Sequence, residues 1–431
     1  MWFAARMGSL NSLIFAMENH WTLLLAVALS LVQTFSADWP EFRGPTGQGH
    51  ASETRLPLHW SKTNNVAWKQ AVPGLGWSSP VIVEGKVFLT TAVAEGKENP
   101  SLRTLCLDAR TGKILWNTEV FSPSETKSGS IHNKNSYASP TPLIHGGRIY
   151  VHYGHHGTAC VDLKGKVLWR NNTLKYSPVH GSGASPAWCE GKIVFSVDGA
   201  SDPFIVALDA KTGTVAWKVP RESSAKRKFS FVTPLVIEVK GKKQIITPGS
   251  GVVSALDPKD GREIWRATYG EGYSVVPRPV FGHGLLFIAT GFDRPTVIAI
   301  RPDGQGDVTQ THVAWTLTKG APNTPSLLLS GKELYMVSDG GIASCVDALS
   351  GQPHWQERVG GNYSASPLLA GDRIYLQSEE GVGTVIKAAK SFEVLATNNL
   401  EERSLASCAA ADGGLFIRTL ENIYRLSQAT P

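Results

Sequence analysis

The chain is 431 residues long, 42% hydrophobic and only 18% charged, so it can bury a large core and is not a disordered protein. Its formal charge of +6 is modest for that length and comes without a basic tract, which argues against a nucleic-acid partner. With 43 Gly, 25 Pro and 13 Trp but few helix-period runs, one large all-β body of short strands and tight turns is favoured over several mixed domains.

Residues 1–36 read as a signal peptide. Leu23 to Val32 is an apolar run of h-region length, too short for a membrane span, and Arg6 supplies positive charge ahead of it. Thr34 and Ser36 place small residues around a cleavage point before Ala37, and Met17 is an alternative start that keeps the run. No Cys follows it. The expectation is therefore an exported chain, periplasmic or associated with the cell envelope, without a lipid anchor and without a transmembrane domain once the leader is removed. Residues 37–59, including Trp39-Pro40-Glu41-Phe42-Arg43-Gly44-Pro45, read as an irregular arm packed by its aromatics.

Regular structure begins near Trp60 and is organised by a repeated phrase. Ala207 to Trp217 reads Ala-Leu-Asp-Ala-Lys-Thr-Gly-Thr-Val-Ala-Trp, and full copies run from Cys106 to Trp116, Ala255 to Trp265 and Cys345 to Trp355. Cys160 to Trp169 is one residue shorter, Ala299 to Trp315 carries an insertion, and Lys387 to Ala396 is a degenerate copy. Asp209, Thr212 and Gly213 are turn chemistry, as are the counterparts Asp108, Asp162, Asp257 and Asp347. Cys106, Cys160 and Cys345 fill the slot of Ala207, so they read as small apolar strand residues and not as half-cystines.

A second phrase opens each unit: Ser79-Pro80, Ser139-Pro140, Ser185-Pro186, Thr233-Pro234, Val276-Pro277, Thr324-Pro325, Ser366-Pro367 and Ser407-Cys408. Four strands in roughly 40 to 50 residues is the signature of a propeller blade. The last unit, Ala406 to Leu426, supplies three strands, and Val66-Ala67-Trp68-Lys69 supplies one with no blade of its own. The predicted fold is thus an all-β, eight-bladed β-propeller over residues 60–431, closed by an N-terminal strand that completes the last blade.

The phrase Ala-x-Asp-x-x-Thr-Gly-x-x-x-Trp resembles the tryptophan-docking repeat of the pyrroloquinoline-quinone (PQQ) propeller superfamily, over about Trp60 to Leu426. That resemblance implies that Trp68, Trp116, Trp169, Trp217, Trp265, Trp315 and Trp355 are structural, each docking between neighbouring blades through its indole N–H. Two branches matter for function. One is the quinoprotein alcohol and sugar dehydrogenases, which hold PQQ and Ca²⁺ over the channel; this sequence lacks the adjacent Cys pair that clamps the quinone in some of them, and Cys-x-x-Cys-His. The other is the BamB-like outer-membrane assembly propellers, which use the repeat as a binding scaffold without a quinone. The chain most resembles exported BamB-like and PQQ-binding-like repeat proteins.

In a propeller the loops leading to the innermost strand and those joining the second and third strands meet at one channel mouth, where ligand sites favour concavity. Trp77, Tyr137, Tyr273 and Tyr363 recur there as candidate stacking residues. His132, Asn135, His155, His180, Asp198, Asp202, Arg278, Asp293, Arg294 and Asp339 are the candidate polar ligand-binding residues on the same face, with Glu95 and Glu98 in a further loop. None has diagnostic spacing, and no catalytic residue or metal ligand is assigned; the motifs of α/β-hydrolases, P-loop enzymes and zincins are absent. The leading expectation is a monomeric scaffold that binds a protein, peptide or glycan and carries no cofactor. A PQQ- and Ca²⁺-dependent oxidoreductase is the alternative, and a sugar hydrolase or lyase using the His and Asp residues is the second.

Overall fold

The computed structural model describes residues 38–94, 99–127 and 129–428; the expected leader and the two loop carboxylates Glu95 and Glu98 lie outside them. Those residues form eight sheets, each with four antiparallel strands and two of them with a short fifth strand added in parallel, and the only helical turn among them is a 3₁₀ turn at Gly154–His156. The fold is an eight-bladed β-propeller. Its third blade is representative: Ala187–Cys189, Lys192–Val197, Phe204–Asp209 and Val215–Pro220 pair in sequence order from the channel outward. In the eighth blade, Ala409–Ala411, Gly414–Arg418 and Asn422–Leu426 are completed by Val66–Ala71, with Trp68 opposite Arg425. The ends of the chain thus close the ring and leave no open sheet edge at the junction.

The repeat phrase is the third strand, its turn and the fourth strand. Asp209 Oδ1 accepts from the Lys211 N–H (3.0 Å), the Thr212 N–H (2.8 Å) and the Thr212 hydroxyl (2.9 Å), and Gly213 takes φ 76°. Those bonds favour the ionised carboxyl and hold the Asp209 pKa below its ordinary value. The Asp is therefore committed to its own turn. Trp169 of the second blade donates to Ala210 O in the turn of the third (3.2 Å), and Trp217 donates to Pro258 O in the turn of the fourth (3.0 Å). Trp68, Trp116, Trp315 and Trp355 make the same step to Ala109, Leu163, Ala348 and Ala389.

Trp265 departs from this pattern for a visible reason. The copy in the fifth blade carries the insertion, and Trp265 donates instead to Gln244 Oε1 (2.9 Å), whose amide relays to Pro302 O (3.2 Å). The inserted Gly306–Asp307 pairs in parallel with Trp265–Arg266 and covers the outer edge of the fourth blade.

Apolar clusters sit between blades more than within them. Val81 and Phe88 of the first blade pack with Ile149 and Val161 of the second, and Phe195 and Val206 of the third pack with Tyr150 and Cys160 of the second. The five cysteines are free and buried, and burial raises the Cys106 thiol to about 12.

Two expectations of register are corrected. At the second, fifth and sixth blades the residue that sits two before the inner strand is Thr141, Arg278 and Ser326, not Ser139, Val276 and Thr324. The segments Ser139-Pro140-Thr141-Pro142 and Val276-Pro277-Arg278-Pro279 each offer two equivalent dipeptides, and an alternation of two puts both choices on the same face. In the seventh blade Val385 pairs with Ala396, so its closing turn is one residue longer than in the full copies such as Ala207 to Trp217, with Lys387 in the Asp slot.

Candidate functional site

The eight positions two residues before the inner strands form a ring around the channel: Ser79, Thr141, Ser185, Thr233, Arg278, Ser326, Ser366 and Ser407, all buried. The hydroxyls join neighbouring blades. The Ser79 N–H donates to Thr141 Oγ1 (2.9 Å), Thr141 N–H to Ser185 Oγ (2.9 Å) and Ser185 N–H to Thr233 Oγ1 (3.0 Å). On the other side Arg278 N–H donates to Ser326 Oγ (2.9 Å), Ser326 N–H to Ser366 Oγ (3.0 Å) and Ser366 N–H to Ser407 Oγ (2.9 Å). Each of these hydroxyls uses a lone pair on its neighbour; the Ser366 O–H is spent on Ser326 Oγ (3.0 Å), and the others keep theirs as donors.

Arg278 breaks the ring of hydroxyls because it has another task. Its guanidinium donates to Phe42 O (2.6 Å) and Pro234 O (3.1 Å) and pairs with Glu41 at 3.4 Å. It fastens the N-terminal arm across the channel. Trp39 pairs with Ile82, Pro40 O accepts from the Ile144 N–H (2.8 Å), Gln48 Oε1 accepts from the Phe281 N–H (2.6 Å), and His50–Ala51 runs parallel to Leu369–Ala370. With the contact of His50 Nε2 to Leu329 O of the sixth blade (2.6 Å), the arm thereby meets the inner strands of five blades and crosses the channel, with Phe42 in the lining of the pocket.

The pocket has a volume of about 380 Å³. Its wall is an aromatic arc: the rings of His132 and His180 lie 5.3 Å apart, His180 and Phe229 5.4 Å, Phe229 and Tyr273 5.4 Å, and Tyr273 and Phe292 6.2 Å. Trp77 faces it from the first blade, beneath the Arg403 guanidinium at 5.8 Å. The loop before the second blade spans the mouth, with Lys134 paired to Glu379 at 2.7 Å and Arg403 donating to Asn133 O (3.1 Å). Asn135 Nδ2 donates to His180 O (2.8 Å) and holds that wall in place.

Of the candidate residues, the structure brings Trp77, His132, Asn135, His180 and Tyr273 into this lining. Tyr137 and His155 line a separate cavity behind the wall. Four candidates are placed in structural contacts instead. Asp198 is buried, pairs with Arg221 at 3.0 Å and accepts from Ser230 Oγ; burial raises its carboxyl pKa against the pull of Arg221. Asp339 holds the Asn323 N–H (2.7 Å) and the Thr324 hydroxyl (2.5 Å). Tyr363 lies in the core between the sixth and seventh blades, and Arg278 is the arm clamp described above. Asp202, Asp293 and Arg294 are exposed outside the pocket.

Sequence reasoning missed Phe42, Lys134 and Phe292. Phe42 reaches the pocket only because the arm folds back, and Lys134 only because its loop crosses the ring. Phe292 adjoins Asp293 in the loop between second and third strands, so its position was available as a signal.

Among the described residues the pocket lining holds no Asp or Glu. Ca²⁺ takes six to eight oxygen ligands, usually including carboxylates. Among the described residues no group of three or more His, Cys, Asp or Glu converges on a metal position. These residues therefore do not fit the Ca²⁺ that accompanies PQQ.

Eight blades, six of them locked to the next by a Trp-to-turn bond, define a β-propeller of the PQQ-repeat class. The family model described as outer membrane protein assembly factor BamB matches residues 103–343 and 307–394, and the chain belongs to that family. It is similar to the lanthanide-dependent methanol dehydrogenase of Methylorubrum extorquens, 31% identical over 153 residues, 32% of this chain and 24% of that one. It is also similar to the outer membrane protein assembly factor BamB of Yersinia pestis, 29% identical over 188 residues, 40% of this chain and 43% of the relative. The chain thus matches less than half the length of either relative. The solved BamB of Moraxella catarrhalis overlays with a TM-score of 0.57 at 12% identity, covering 84% of this chain and 99% of that one, a likeness of fold. Among the described residues no helix is long and apolar enough to cross a membrane.

Proposed function

We propose that the protein is an exported propeller scaffold whose channel pocket receives a segment of a protein, peptide or glycan partner, without redox chemistry of its own. The observation that carries this reading is the lining: an aromatic arc over a ring of hydroxyls, with no carboxylate among the described residues. Rings give contact area at low entropic cost, and the hydroxyl ring orients whatever enters. The match to a family described as an assembly factor supports a binding role, and the expected leader supports a periplasmic or envelope location.

In this reading His132, Asn135 and His180 bind and orient, while Trp77 and Tyr273 stack. The protein works as a monomer. The experiment is site-specific photo-crosslinking from position 77 in intact cells. A discrete adduct that disappears in Tyr273→Ala supports the reading; no adduct, or one indifferent to Tyr273, overturns it.

A PQQ- and Ca²⁺-dependent oxidoreductase is the second reading, supported by similarity to alcohol dehydrogenases described as quinone-dependent or quinohemoprotein. Protein mixed with both is expected to reduce no dye with alcohols or sugars; turnover lost in Trp77→Ala would replace the scaffold reading with this one.

A further inference from the structure

A second cavity, of about 460 Å³, lies between the second and third blades behind the wall of the channel pocket. The wall is two backbone strips joined by Asn135 Nδ2 to His180 O (2.8 Å) and His132 N–H to His180 O (3.4 Å). His132, Asn135 and His180 face the channel, while Ile131, Ser136 and Gly181 face the second cavity. The two spaces therefore share a partition and have different linings.

The second cavity is boxed by rings. His155 and His156 stand 3.9 Å apart, Tyr137 is 5.7 Å from His156, and Tyr176 is 6.2 Å from His155. Tyr153 closes the inner end. The close approach of the walls requires glycine at 154, where φ is 61° and a Cβ would sit 1.6 Å from Ser182 Oγ. This is a built space and not a gap left by loose loops.

Among the described residues that line the box, one buried side-chain polar atom lacks a hydrogen-bond partner. Tyr137 Oη bonds with the Gly129 N–H (2.7 Å) and Gly129 O (2.9 Å), Tyr176 with Ser182 Oγ (2.9 Å), and Tyr153 with Thr104 Oγ1 (3.0 Å). His156 is buried, only 4% exposed, and its Nε2 has no partner. A buried polar atom without a bond costs free energy that a ligand would recover. Burial pushes His156 down to about 3, so at neutral pH the imidazole is uncharged. An ionic ligand would find no buried countercharge in this lining.

The geometry points to a second binding site, for a single pyranose sugar ring, with one sugar hydroxyl on His156 Nε2 and the C–H faces of the ring against Tyr137, His155 and Tyr176. A sugar presents apolar faces and several hydroxyls together, and the box offers aromatic faces with serine hydroxyls and backbone groups between them. A phenol presents only one polar atom and would leave that perimeter unused. This inference does not rest on the role proposed for the channel pocket.

The test is saturation-transfer NMR and calorimetry on the whole protein with glucose, galactose, mannose and N-acetylglucosamine, and with phenol as the competing chemistry. Saturable binding of at least one sugar is expected, weakened at least tenfold in His156→Phe and in Tyr176→Leu and unchanged in Leu349→Ala, an exposed position outside both pockets. A thermal melt of each variant establishes that it folds, and His156→Gln takes the place of His156→Phe if the latter does not. The proposal is overturned if no sugar binds below about 50 mM, a free energy near the weak end of specific binding. It is overturned equally if phenol alone binds, if sugar binding survives loss of the His156 ring nitrogen, or if a crystal structure soaked in sugar has only a water on Nε2.

Discussion

Lys134, in the loop before the second blade, reaches Glu379 of the seventh blade across the channel mouth, Nζ to Oε1 at 2.7 Å. Glu379 also accepts from Ser364 Oγ at 2.6 Å, so the pair ties a long loop to the far side of the ring. The Lys134 side chain is 40% exposed, and partly exposed pairs of this kind are worth roughly 0.2–1 kcal/mol. Lys134→Ala should therefore leave global stability within about 1 kcal/mol of the parent. Amide exchange across residues 129–136 should rise, and high salt should produce the same rise in the unaltered protein. Unchanged exchange would mean the loop is held by other contacts.

Arg278 holds the arm to the ring. Replacing it by Leu strands the mostly buried Glu41 carboxylate and leaves Phe42 O and Pro234 O without their donor. Breaking one side of a buried pair costs about 3–5 kcal/mol. Arg278→Leu should lower the urea midpoint accordingly and open the arm to proteolysis within residues 43–58, detected by mass spectrometry of the early fragments. Arg278→Ser, which would restore the eighth hydroxyl of the ring, should free the arm just as well.

Gly213 lies under the indole of Trp169. An added Cβ would be 2.4 Å from the ring, at a φ of 76° that favours glycine. Gly213→Ala should cost about 2–4 kcal/mol, combining backbone strain with overpacking. Gly85 is the control: its φ is 68° but nothing lies within 4 Å of its Cβ position. Gly85→Ala should cost only about 1 kcal/mol, so chemical denaturation of the two variants separates strain from contact.

His152 sets an acid limit. It is buried against Phe195 and bonded to Thr158 Oγ1 at 2.8 Å, and burial, aided by the charge on His155, pushes it down to about 3. The unfolded chain takes up this proton near pH 6.5 while the folded chain does not, so stability is full above that pH and falls as pH drops toward about 3. By pH 5 the loss from this one group is about 2 kcal/mol. Urea denaturation at pH 7, 6 and 5 should follow this fall, and His152→Leu should shallow the slope by about 1.4 kcal/mol per pH unit.

The architecture was legible because a propeller repeats its corners. The Asp, Gly and Trp of Ala207 to Trp217 act through local turn geometry and one contact to the adjacent blade, and both recur at nearly constant spacing. Even the register error at Ser139 left the residue on the correct face, since Ser139 and Thr141 both line the pocket. Half-legible were the candidate site residues: Trp77, four residues before its inner strand, and Tyr273, seven before its own, reach the pocket, but Tyr363, five before its own, turns into the core.

By itself, then, the sequence determined the number of blades, the way the ring closes and six of the seven tryptophans that dock on a neighbouring turn, all consequences of short-range periodicity. Tertiary structure alone decided which loops met. Phe42 and Arg278 are 236 positions apart and Lys134 and Glu379 are 245, and nothing local in the chain encodes those approaches. The unpartnered nitrogen of His156 became visible only when every neighbour in the folded box had been assigned its bond.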